Sequence, residues 1–154
     1  MIEKNLKALV ALLIFFLLDT LRPFAYSLIT EFTFLGIVLI CLNYPFKTSL
    51  FFAISFGFAQ DAICMDKTSF NLLEYSAIAV FIHYCLRNFH GKAVKSFIFF
   101  GVLIVHIIIN NFHINTAAYL FSLLFFIHSS IIFVLVNHLF TKWLYSGLKG
   151  NDVI

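Results

Sequence analysis

The stretch PFKTSLFFAISFGFAQDAICM, Pro45–Met65, decides the fold class. From Thr48 onward it is a long apolar run, broken by small residues and, near its end, by Gln60 and Asp61. Ser49, Ala53, Gly57 and Asp61 recur at a spacing of four. That spacing places them on one face of a helix, where small residues let a second helix approach closely. Pro45 closes the segment before it, because the residue preceding a proline is pushed out of helical geometry. The stretch therefore reads as a helix with a smooth seam that ends in a carboxylate.

Five further segments of the same character lie on either side. The six cover about 6–18, 29–44, 48–65, 70–86, 94–112 and 117–140. Over the whole chain of 154 residues, 62% are hydrophobic and 11% are charged. Ordinary soluble domains carry about 25% charged residues. A membrane-spanning helix takes about 20 residues. The expectation from composition is thus an all-α integral membrane protein, a single polytopic domain with six transmembrane helices over residues 1–154. Sorting the charges by loop gives the same picture under the positive-inside rule. Lys4, Lys7, Lys47, Arg87, Lys92, Lys95, Lys142 and Lys149 fall on one side, against Arg22 and Lys67 on the other. Asp19, Glu31, Asp66 and Glu74 fall on the side poor in basic residues. The expected location is the bacterial inner membrane, multi-pass, with both termini cytoplasmic. Lys4 and Lys7 ahead of an apolar run also suit a cleaved signal peptide, but no clear small-x-small site follows.

Composition excludes other classes. A net charge of +3, scattered along the chain, does not suit nucleic-acid binding. Cys41, Cys64 and Cys85 form no CxxC and lie in apolar runs, where cysteine behaves as a small apolar residue. There is no GxSxG, no HExxH and no glycine-rich phosphate loop, so no enzyme activity and no cofactor are expected.

The polar residues inside apolar segments are the candidates for function. Asp61 reads either as an ion or substrate site, or as a hydrogen-bonded acid at the end of a packing seam. His106, Asn110 and His113 share a helical face, with His128 in the next segment. They read as a metal site or proton relay, or as interhelical hydrogen bonding. The loop from Arg87 to Lys95, with Lys92, is the densest positive cluster. It suits a cytoplasmic partner or anionic lipid headgroups, or else serves only to set topology.

The region Pro45–Tyr84 resembles the rod-shape-determining MreD family. The resemblance rests on Pro45–Phe46–Lys47, then Gly57–Phe58–Ala59–Gln60–Asp61, then Ser69–Phe70–Asn71–Leu72–Leu73. The chain departs from the family pattern at Ala53 and Ser69, where members often carry glycine. The resemblance implies a non-enzymatic membrane scaffold of the cell-elongation machinery, acting on cell shape and lateral peptidoglycan synthesis. It implies an MreC-like single-span membrane partner and, indirectly, MreB, RodA and an elongation-specific penicillin-binding transpeptidase. It marks Pro45, Lys47, Ala53, Gly57 and Asp61 as the motif for partner association or helix packing. The implied fold is also similar to the S components of energy-coupling-factor transporters, so the alternative function is a small-molecule (vitamin) binding subunit. Against that alternative, Ala8–Leu9–Val10–Ala11 lacks the alanine spacing of four expected for docking such a subunit.

Overall fold

The computed structural model describes residues 2–20, 31–63, 70–90, 93–111 and 118–145. Among these the chain is all-α, in the order α1 (Ile2–Thr20), α2 (Phe32–Asn43), α3 (Phe46–Ile63), α4 (Asn71–Asn88), α5 (Val94–Asn111) and α6 (Ala118–Tyr145). Each helix lies on one of the six apolar segments of the sequence.

The expectation of six membrane spans is corrected here. Among the described residues, no helix is long and apolar enough to cross a membrane. A bilayer core is about 30 Å thick. The 12 residues of α2 rise only about 18 Å. Polar groups shorten the apolar part of other helices: Glu3, Lys4, Lys7 and Asp19 in α1, and Lys47, Gln60 and Asp61 in α3. The multi-pass inner-membrane location and the membrane-bundle class, both built on those spans, fall with them.

The organising element is α2. Its sequence FTFLGIVLICLN is apolar all round, which is the signature of a helix buried on every side. Every residue from Thr33 to Leu42 is buried. α1, α3 and α4 pack directly around it, and α6 also reaches it. The most extensive pairing is α3 with α4, and α5 pairs with α6. Phe99 of α5 stacks on Phe133 of α6 with ring centroids 3.5 Å apart.

Proline chemistry shapes the α2–α3 corner. Tyr44 is extended (φ −120°, ψ 159°), as expected before Pro45, yet its N–H still closes the last turn of α2 on the Ile40 carbonyl at 2.8 Å. The Ser49 N–H then donates to the Pro45 carbonyl at 3.0 Å, opening α3. The buried Ser49 hydroxyl lies 3.4 Å from the carbonyls of both Ile40 and Tyr44. The Tyr44 hydroxyl donates to the Lys4 carbonyl at 2.6 Å, which fixes the start of α1 to this corner.

The charges sort by end of the bundle. Lys4 lies over the Tyr44 ring, Lys7 over the Trp143 ring, and Lys95 reaches Asn43. The other end collects Asp19, Glu31, Asp61 and Glu74, as their partners below show.

Candidate functional site

The seam on α3 is filled from within the chain. A Cβ on Gly57 would lie 2.7 Å from the Leu72 Cα and 2.9 Å from the Asn71 carbonyl oxygen. The first turn of α4 thus rests on the Gly57 backbone, a distance only glycine permits. One turn further along α3, Asp61 accepts the N–H groups of Asn71 and Leu72, each at 2.9 Å. The N-cap of α4, Phe70, has no side chain able to do this. Asp61 is therefore a cap borrowed from the preceding helix, and its charge meets the positive end of the α4 dipole. Ala53 is buried in the same stripe, whereas Pro45 and Lys47 are exposed.

The same device operates one hairpin earlier. Asp19, near the end of α1, accepts the N–H groups of Phe32 at 3.0 Å and Thr33 at 2.6 Å. The N-cap of α2, Glu31, makes no side-chain cap of its own. α1–α2 and α3–α4 are thus built alike, an internal similarity that is not visible from hydropathy alone. The shared signal is an aspartate within the last turn of an apolar helix, just before a break.

A third polar group joins three helices. His106 of α5 is 1% exposed. Its Nδ1 lies 2.6 Å from Glu74 Oε1 of α4, and its Nε2 lies 3.4 Å from Glu31 Oε2 at the head of α2. The ring stacks on Phe34 at 3.9 Å between centroids, tilted by 16°. Burial by itself would lower the affinity of His106 for a proton. The charges and hydrogen bonds of Glu31 and Glu74 outweigh it and raise the pKa to about 9. As an imidazolium, the ring donates from both nitrogens, one to each carboxylate. Fully buried Tyr75 stands beside this centre, its hydroxyl donating to Gln60 Oε1 at 2.9 Å. Its phenol is raised well above the usual range by burial and by the fields of Glu31, Glu74, Asp19 and Asp61. All four acids therefore converge on one end of the core.

No family model, curated protein or solved structure matches this chain.

The arrangement holds protons and fixes helix ends. Among the described residues, no three His, Cys, Asp or Glu side chains are set to hold a metal ion. Of the face expected from His106, Asn110 and His113, only the His106 side chain is described, and it pairs across helices with Glu31 and Glu74. His113 and the Asn110 side chain lie outside the described residues, as do Cys64 and Lys92. Arg87 and Lys95 are exposed at the basic end. Arg87 sits in the last turn of α4, where a cation suits the helix dipole. Spacing along one helix could not show Glu31 and Glu74 as partners of His106, because each comes from a different helix. Their common place at helix ends on the side poor in basic residues was the available signal.

Proposed function

We propose that the chain is a non-enzymatic helical scaffold of the bacterial cell-elongation machinery, resembling the MreD family and acting on cell shape and lateral peptidoglycan synthesis. Its direct partner is an MreC-like single-span protein, and through that protein it meets MreB, RodA and an elongation-specific transpeptidase. The observation that carries the reading is a division of labour between two glycine-bearing helix faces. Gly57, with Asp61, is spent on joining α3 to α4. Gly101 of α5 is unspent: a Cβ there meets nothing within 4 Å. It sits in an exposed apolar stripe of Phe97, Phe100, Ile104, Val105 and Ile108. Apolar anchors at helical spacing around a dent suit the docking of a partner helix. Exposed apolar surface of this extent calls for a covering partner.

Co-expression with the MreC-like protein of the same host tests this. Tagged chain should retain that protein through purification, and Gly101→Leu, whose Cβ enters open space, should weaken retention while leaving the chain folded. Depletion in a rod-shaped host should round the cells. Unchanged shape and wall synthesis on depletion, or retention indifferent to Gly101→Leu, would remove the basis of the proposal. A co-purifying vitamin in place of the partner would favour the transporter subunit instead.

A further inference from the structure

At the basic end, α1 and α3 leave a groove of about 530 Å³ between them. Small-ligand sites span about 300–1,000 Å³. The groove is polar where Asn5 and Lys47 line it and apolar where Leu6, Leu9, Phe51 and Phe52 do. Phe52 is buried at its base, while Leu6 and Phe51 stand more than half exposed along its walls.

The charge at its mouth is uncompensated. Lys47 is exposed and has no ion-pair partner among the described residues. The nearby acid Glu3 is engaged by Lys7 at 3.1 Å. The first turn of α3 contains no acid, so the positive end of its dipole adds to Lys47. Asp19, Glu31, Asp61 and Glu74 all lie at the far end of the bundle, on the partners described above.

Size selects among occupants. From Lys47 to Phe52 the groove follows α3 for about 7.5 Å. A helix docking by anchors at i, i+4 and i+7 needs about 10 Å. A single acyl chain needs no anchors at fixed helical spacing and can bend within so short a groove. We propose that this groove binds a single-chain anionic amphiphile, a long-chain carboxylate, with its head at Lys47 and its tail along Leu6, Leu9, Phe51 and Phe52. The site lies on α1 and α3, apart from the Gly101 face on α5.

The test titrates the full chain, held in digitonin, a neutral detergent without an acyl chain, with laurate, dodecanol and dodecyltrimethylammonium, followed by calorimetry and native mass spectrometry. Laurate should bind saturably, one per chain, at least about tenfold tighter than the other two. Lys47→Glu should cost laurate about tenfold and favour the cationic amphiphile. Leu9→Gln should weaken all three without changing their order. Lys47 and Leu9 are exposed, so both variants should keep the unfolding midpoint of the parent chain. Equal affinity for laurate and dodecanol, or laurate binding unchanged by Lys47→Glu, would overturn the site. Tighter binding of phosphatidylglycerol vesicles than of laurate, or a Lys47-dependent dimer, would overturn it in favour of a two-chain lipid or a second copy.

Discussion

Replacing Gly57 by alanine tests how α3 and α4 are joined. The added Cβ would sit 2.7 Å from the Leu72 Cα, 2.9 Å from the Asn71 carbonyl oxygen and 3.0 Å from the Leu72 nitrogen. Favourable carbon contacts begin near about 3.5 Å. All three neighbours are backbone, so no rotamer change relieves the overlap and α4 itself must retreat. Overpacking of this kind costs about 1–3 kcal/mol. Alanine returns about 1 kcal/mol in helix propensity. Gly101→Ala supplies the reference, since its Cβ meets nothing within 4 Å and only the propensity gain remains. The two variants should therefore differ by about 1–3 kcal/mol. For a chain of this size that is roughly 5 °C in melting temperature. Gly36→Ala should fall between them. Its Cβ would overlap Phe15 Cδ2 at 2.6 Å and Leu12 Cδ2 at 2.8 Å, which are ends of side chains that can turn aside. Thermal unfolding by far-UV circular dichroism gives the order. Hydrogen exchange supplies a local readout, because retreat of α4 stretches the Asn71 and Leu72 amides away from Asp61 and should speed their exchange. If Gly57→Ala melts with Gly101→Ala and those amides stay protected, the close approach at Gly57 does not hold the hairpin.

Asp61→Ala should cost about 1–2 kcal/mol as a lost helix cap, and Asp61→Asn less, since an amide oxygen can still accept. Combined with Gly57→Ala the loss should be less than additive in a double-mutant cycle, because both changes strike the same turn. The His106 ion pairs make stability depend on pH. The folded imidazole holds its proton more tightly than the unfolded one, so the contribution is full below about pH 6.5 and gone above about pH 9. Denaturant midpoints should fall across that window and flatten in His106→Gln, which should itself cost about 3 kcal/mol at pH 6 by stranding the buried Glu74 carboxylate; a midpoint as pH-sensitive in the variant as in the parent would remove His106 as the source. Cys41 is buried and its thiol is pushed up to about 12, so maleimide should label it only after unfolding. Labelling of Cys41 in the native chain would show that α2 is not the enclosed helix described here.

The helices were legible in the sequence because apolar runs and their breaks carry local information. Pro45 stops α2, and the four-residue spacing of Ser49, Ala53, Gly57 and Asp61 survives as one stripe of α3. Whether a run spans a bilayer was not legible from hydropathy alone. It depends on where a helix ends, and α2 ends after 12 residues. The polar site was legible only in part. Asp61 announced itself as the acid inside an apolar run, but its partners are backbone amides on the next helix, which no side-chain motif encodes. Asp19 does the same task without a Gly57-like seam, so a search by motif passes over it.

His106 sits among four carboxylates at one end of the core, and two of these, Asp19 and Asp61, already face helix dipoles. Each cap puts negative charge where peptide N–H groups are unpaired. Glu74, with a side chain only 7% exposed, caps no helix among the described residues and takes its proton donor from a side chain. His106 answers that need from α5, which also packs on α4 and touches α2 at Phe34 and Asn43. The ion pair is therefore the buried polar tie between the α1–α4 unit and α5, beside the exposed Lys95–Asn43 contact. It should fail before either part unfolds, which makes α5 the first helix to exchange its amides as the pH rises past 9.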